Sequence, residues 1–113
     1  LTEVQKKLIR VMNELVHYYF NLHMDEVFME IKQEEDRSSL AISGYPSVCE
    51  PDALKRLEKK LNKPRQPELE EYYWNLIGSV DSSEQMNMVS MLIDSADVEY
   101  KQGKLTITVY RNH

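Results

Sequence analysis

Histidine is the first residue type to test for chemistry, and this chain has three. His17 and His23 stand six positions apart on what reads as one helix, about 120° from sharing a face. Helical metal ligands come at i and i+4, and the third histidine, His113, lies at the far end of the chain. The single cysteine, Cys49, brings no second thiolate, and Glu50 and Asp52 beside it oppose the ionised form that a nucleophile or ligand needs. No metal site is expected. Gly44, Gly78 and Gly103 are too far apart for a phosphate loop or a dinucleotide fingerprint, both of which need clustered glycines for close backbone approach. The serines include no Gly-x-Ser-x-Gly elbow. Glu14 is the only acid that stands out as a catalytic candidate, a general base, against the simpler reading of an exposed helix carboxylate.

The aromatic and methionine residues suggest recognition instead. Tyr72, Tyr73 and Trp74 are consecutive, so they cannot all face one core, and Tyr18, Tyr19 and Phe20 pose the same problem. Trp and Tyr anchor partner proteins, and methionines such as Met86, Met88 and Met91 give adaptable apolar surface. Tyr72, Trp74 and Met88 are the candidate partner-binding residues, with core packing as the competing reading. Lys55, Arg56, Lys59, Lys60, Lys63 and Arg65 form a basic stretch that offers a nucleic-acid-binding reading, or simply a solvated helix face balanced by Glu68, Glu70 and Glu71.

These residues need elements to hold them. Val4, Leu8, Val11, Met12, Leu15, Tyr19 and Leu22 recur at helical steps and predict a helix over 2–23, with Thr2 as N-cap and Gln5 three residues on. After Asp25 the period changes to two, which predicts a hairpin of 26–33 with 38–44, closed by Gly44-Tyr45-Pro46-Ser47. Pro51 opens a helix over 51–62, and Pro67 opens another over 67–77 with acidic residues near its positive end and Gly78 as its stop. Asp81, Ser82 or Ser83 caps a fourth helix over 83–95, whose apolar repeat runs to Ala96. Val98 and Tyr100, then Leu105, Ile107 and Val109, predict a second hairpin turning at Gln102-Gly103. The fold class is α+β in the order α-ββ-α-α-α-ββ, with the two hairpins joined in one small sheet covered by helices.

Bulk properties agree with one domain over residues 1–113. The hydrophobic fraction is 42% and the charged fraction 29%, ordinary globular usage, and a chain this long can bury a core without staples. A net charge of -5 gives no general attraction to nucleic acid or anionic membrane. No apolar run approaches the roughly 20 residues of a membrane span, and no signal peptide is visible. One cysteine rules out an internal disulfide, so a reducing, cytoplasmic setting is expected. A chain that begins at Leu1 admits an excised or processed piece of a longer protein.

The segment Val11-Met12-Asn13-Glu14-Leu15-Val16-His17-Tyr18, the following hairpin, and the stretch from Met88 to Tyr100 leading into Gly103–Val109 together resemble a shortened GHKL-type (Bergerat fold) ATPase domain, as in histidine kinases and anti-sigma-factor serine kinases. The resemblance implies a GHKL-like α/β sandwich. It sets the family's magnesium-binding asparagine near Tyr18, and Glu14 near a carboxylate that serves as base in some members. The adenine-reading Asp-x-Gly-x-Gly motif would fall at Gly44-Tyr45-Pro46-Ser47, and the second glycine box at Ser82–Met86, where neither motif is present. Tyr18, Gly44 and Tyr45 are thus the nucleotide-site candidates that the resemblance offers. The expectation is a non-catalytic regulatory or protein-interaction domain with no cofactor and a protein partner, with pairing of two copies through the long first helix as one form of partnership. A divergent domain binding ATP with Mg through Glu14 is the alternative.

Overall fold

The computed structural model describes residues 1–76 and 85–113. The elements follow the order expected: α1 (Glu3–Asn21), β1 (Val27–Gln33), β2 (Arg37–Gly44), α2 (Pro51–Leu61), α3 (Pro67–Leu76), α4 (Gln85–Leu92), β3 (Ser95–Lys101) and β4 (Lys104–Asn112). Gly78 and the expected caps at Asp81–Ser83 lie outside the described residues.

Thr2 starts α1 with a complete capping box. Its side chain accepts from the Gln5 amide at 3.1 Å, and the Gln5 side chain accepts from the Thr2 amide at 3.0 Å. At the other end, α4 stops at Leu92, short of the predicted helical run. Ala96 belongs to β3, where it is buried and pairs with Val109.

All four strands are antiparallel in the order β1-β2-β4-β3, so β2 and β4 join the hairpins and β1 and β3 are the edges. Leu40 and Ile42 on β2 and Leu105, Ile107 and Val109 on β4 point to one face and are buried. They meet Val11, Leu15 and Tyr19 of α1, Leu57 and Leu61 of α2, and Val89, Leu92 and Ile93 from α4 and the residue after it. A shift of register by one residue would turn this whole set to the open face, so burial fixes the pairing. Gln102 and Gly103 both have positive φ, as the tight turn between β3 and β4 requires.

Two devices lock α1 onto the sheet. The Tyr19 hydroxyl lies 2.9 Å from the carbonyl oxygens of both Ile42 and Leu105 and shares its proton between neighbouring strands. Gly44 leaves room beside it. A Cβ there would run into the Met24 sulfur and come within 2.9 Å of the Glu26 carbonyl oxygen.

Candidate functional site

The sequence candidates fall into three places. Glu14 is not an exposed helix carboxylate. It is 5% exposed, with Oε1 held by Arg10 at 3.0 Å and Oε2 buried without a hydrogen-bond partner. Tyr18, one turn along, is half-buried. Burial raises its phenol above the ordinary value, helped by nearby Cys49, whose own thiol burial also raises. Gly44 touches the same region through Tyr19, while Tyr45 is largely exposed. The structure therefore brings Tyr18 and Gly44 to one end of the molecule and turns Tyr45 outward.

The partner-binding candidates separate. Tyr72 is exposed, Trp74 is half-buried against the core under the Lys7 ammonium, and Met88 is buried. The surplus aromatics of α1 resolve in the same way, with Tyr19 fully buried, Tyr18 half-buried and Phe20 60% exposed. His17 lies exposed on α1, and among the described residues no three His, Cys, Asp or Glu side chains converge as a metal would require. In the basic stretch, Lys55, Arg56 and Lys59 face solvent on α2, but Arg65 turns inward to Glu70 and Asp94. No helix among the described residues is long and apolar enough to cross a membrane.

Arg65 joins a buried ionic network that the sequence did not suggest. Glu70 on α3 contacts the Lys7 ammonium of α1 and the Arg111 guanidinium of β4, the latter at 2.9 Å. Arg111 also donates to the Leu92 carbonyl at 3.0 Å, at the end of α4. Burial alone would lower the pKa of Lys7, but its bonds to Glu70 and Glu71 outweigh that and hold it above the ordinary value. Burial alone would likewise raise Glu70, yet Lys7 and Arg111 hold its carboxyl below the ordinary range. The cations are matched to carboxylates and fasten three helices to β4, which is the chemistry of a structural clamp.

Recognition features gather elsewhere, along α1 and the edge strand β1. Met29 and Ile31 alternate along β1 with Phe28, Glu30 and Lys32. They lie on the helix-covered side but are 48% and 52% exposed, because the helices stop short of this edge. Phe28, on the opposite side of the strand, is also about half exposed. α1 runs beside β1 in the reverse direction. Gln5 reaches the Gln33 side chain at 3.0 Å, and fourteen residues later Tyr19 abuts Gly44, the partner of Val27. Fourteen residues of helix and six of strand each cover about 20 Å, so α1 runs antiparallel to β1, beside it from Gln5 to Ile9 and over β2 and β4 at Tyr19. Ile9, Met12, Val16 and Phe20 follow at helical steps along α1, all at least partly exposed. A shallow groove lined by Leu1, Leu8, Ile9 and Ile31 lies between helix and strand.

The backbone of this edge is open as well. The Glu34 amide donates to the Arg37 carbonyl at 2.9 Å and closes the first hairpin. By the alternation of an antiparallel ladder, even-numbered residues of β1 bond to β2. Val27, Met29, Ile31 and Gln33 therefore direct their amides and carbonyls away from the sheet. Among the described residues no side chain bonds to them. The other edge is closed over its first half. The Asn62 side chain accepts from the Ala96 amide at 2.9 Å and donates to its carbonyl at 2.8 Å, while Glu58 accepts from the Val98 amide at 3.0 Å. α2 thus covers the β3 edge at Ala96 and Val98 with side chains, and among the described residues β1 has no such cover.

No family model and no curated protein matches this chain.

Proposed function

We propose that this chain is a non-catalytic regulatory domain that binds protein through its α1/β1 edge, on a scaffold resembling the GHKL-type ATPases. The observation that carries this reading is the coincidence of two properties at one place. Ile9 and Ile31 line one apolar groove, with Met29 exposed on the same side of β1 and Phe28 on the opposite side, along a strand whose outward backbone groups have no partner among the described residues. Single exposed apolar residues are ordinary, but a joined patch next to an uncovered strand edge is what strand-adding partners use. The order of elements supports the scaffold, and the single thiol of Cys49 supports a cytoplasmic setting. Tyr72, exposed on α3, is a secondary contact candidate.

The test is site-specific photocrosslinking in cells that make the protein. Benzoylphenylalanine placed at Phe28 forms discrete protein adducts on irradiation, and the same group at Glu99 on the opposite edge does not. Equal labelling at both positions, together with hydrolysis of ATP by the purified protein, overturns the reading.

One observation favours a second reading, a divergent domain binding ATP with Mg. Glu14 Oε2 is buried and unpartnered on the helix that carries Tyr18. A ligand present at a hundred times its dissociation constant stabilises by about 2.7 kcal/mol. Absence of any thermal shift at millimolar ATP and Mg removes this alternative.

A further inference from the structure

We infer that the partner of the β1 edge is a second copy of this chain, joined strand to strand about a two-fold axis at Ile31 to make one continuous eight-stranded sheet. This rests on the proposed role of the α1/β1 edge and gives that edge its occupant. The argument comes from the sequence of β1, Val27-Phe28-Met29-Glu30-Ile31-Lys32-Gln33, and from which of its groups point outward.

A two-fold axis perpendicular to the sheet keeps each face on its own side, so residues that oppose each other across the new pair must share a face. Only registers centred on a residue satisfy this. Centring on Ile31 sets Ile31 against its own copy and Met29 against Gln33, both pairs on the helix-covered side. It sets Glu30 against the Lys32 of the other copy, twice. The outward-directed amides and carbonyls of Met29, Ile31 and Gln33 then meet as hydrogen-bonded pairs. Glu30 and Lys32 form the closer, non-hydrogen-bonded pair, in which side chains interact most strongly. Within one copy the two side chains form an exposed ion pair at 3.3 Å, which in solvent is weak and is exchanged for the pairs between copies. Centring on Glu30 instead would bring two glutamates directly opposite each other, which disfavours that register.

The rest of the surface fits the same symmetry. β1 is seven residues long, pairs with β2 without a bulge and contains no proline; the edge protection it does carry, the charges of Glu30 and Lys32, is matched in this register. β3 is capped at Ala96 and Val98 by Asn62 and Glu58, which leaves it a shorter open edge than β1. Because the axis preserves the faces, both copies of α1 lie on the same side, and each brings half-exposed Ile9 beside the paired isoleucines.

Sedimentation velocity of the whole chain, from micromolar to submillimolar concentration, tests the pairing, with circular dichroism to confirm that each variant is folded. The wild-type protein forms dimers. Glu30→Lys and Lys32→Glu each place like charges in both cross-strand pairs and weaken the dimer by about tenfold or more. An equimolar mixture of the two variants restores opposite charges in both pairs and dimerises. The double variant E30K/K32E also dimerises. A wild-type protein that stays monomeric throughout overturns the inference. So does a Lys32→Glu variant that dimerises as well as wild type, since that is the outcome for a register centred on Glu30. If the photocrosslinked adduct at Phe28 contains a different protein while the wild type is monomeric, self-pairing fails and the interaction role stands.

Discussion

Replacing Glu70 by alanine removes the one carboxylate shared by Lys7 and Arg111, and the structure allows the cost to be worked out. The Glu70 side chain is 6% exposed, and those of Lys7 and Arg111 are 6% and 8% exposed. Breaking a buried ion pair costs about 3–5 kcal/mol, mostly because the remaining charge stays buried without compensation. Two contacts soften the loss here. Lys7 keeps Glu71 at 3.0 Å, and Arg111 keeps the Leu92 carbonyl. The lower end, about 3 kcal/mol, is therefore expected. With an unfolding entropy near 2.1 cal/mol/K per residue, 113 residues give about 0.24 kcal/mol/K, so the melting temperature falls by about 13 °C. Calorimetry and denaturant titration measure it. The same reasoning predicts that replacing the three most buried groups together, as Lys7→Met, Glu70→Leu and Arg111→Met, costs far less than Glu70→Ala, because the charge left behind, on Arg65, is partly exposed and keeps Asp94. A fall below about 4 °C for Glu70→Ala, or a triple variant as unstable as the single one, would refute the view of this network as a dry clamp.

Three further perturbations probe the same frame. Tyr19→Phe leaves the Ile42 and Leu105 carbonyls without their shared donor and costs about 1–2 kcal/mol by chemical denaturation. Gly44→Ala forces the backbone of Glu26 away from β2 and costs about 1–3 kcal/mol, read as a lower melting temperature. Stability depends on pH from both ends of the ion network. Glu70 is depressed on folding, so its contribution is full above the ordinary value of 4.5 and is lost as pH falls through its lower folded value. Lys7 is raised on folding, so its contribution is full below 10.5 and is lost as pH climbs past its higher folded value. Melting temperature against pH should show a plateau between these limits, and Glu70→Gln should flatten the acid side.

The elements were legible because each carries a local signal: the Thr2–Gln5 box, Pro51 and Pro67 at helix starts, alternation in both hairpins, and Gly103 at the turn. Ala96 misled because its side chain fits a helical repeat with Leu92 and Ile93, and only pairing to Val109 and the Asn62 clamp draws it into β3. Glu70 reads locally as one of several acids favouring the start of α3. Its partners lie 63 and 41 positions away, a distance that no local pattern encodes. The exposure of Met29 and Ile31 was hidden for a related reason. Alternation tells which side of a strand a residue faces, but only the strand order and the reach of α1 decide whether that side is covered. The burial of Glu14 likewise follows from packing around α1 and not from its helical position alone.

Residue-resolved amide exchange by NMR tests the central claim most directly, since that claim concerns which strand edge is open. In dilute solution the amides of Met29 and Ile31 should exchange freely while those of Phe28 and Glu30 are protected by β2. Raising the concentration should protect Met29 and Ile31, and Ala96 and Val98 should be protected throughout by α2. Concentration-dependent protection at Ala96 and Val98, with Met29 and Ile31 unaffected, would contradict the account.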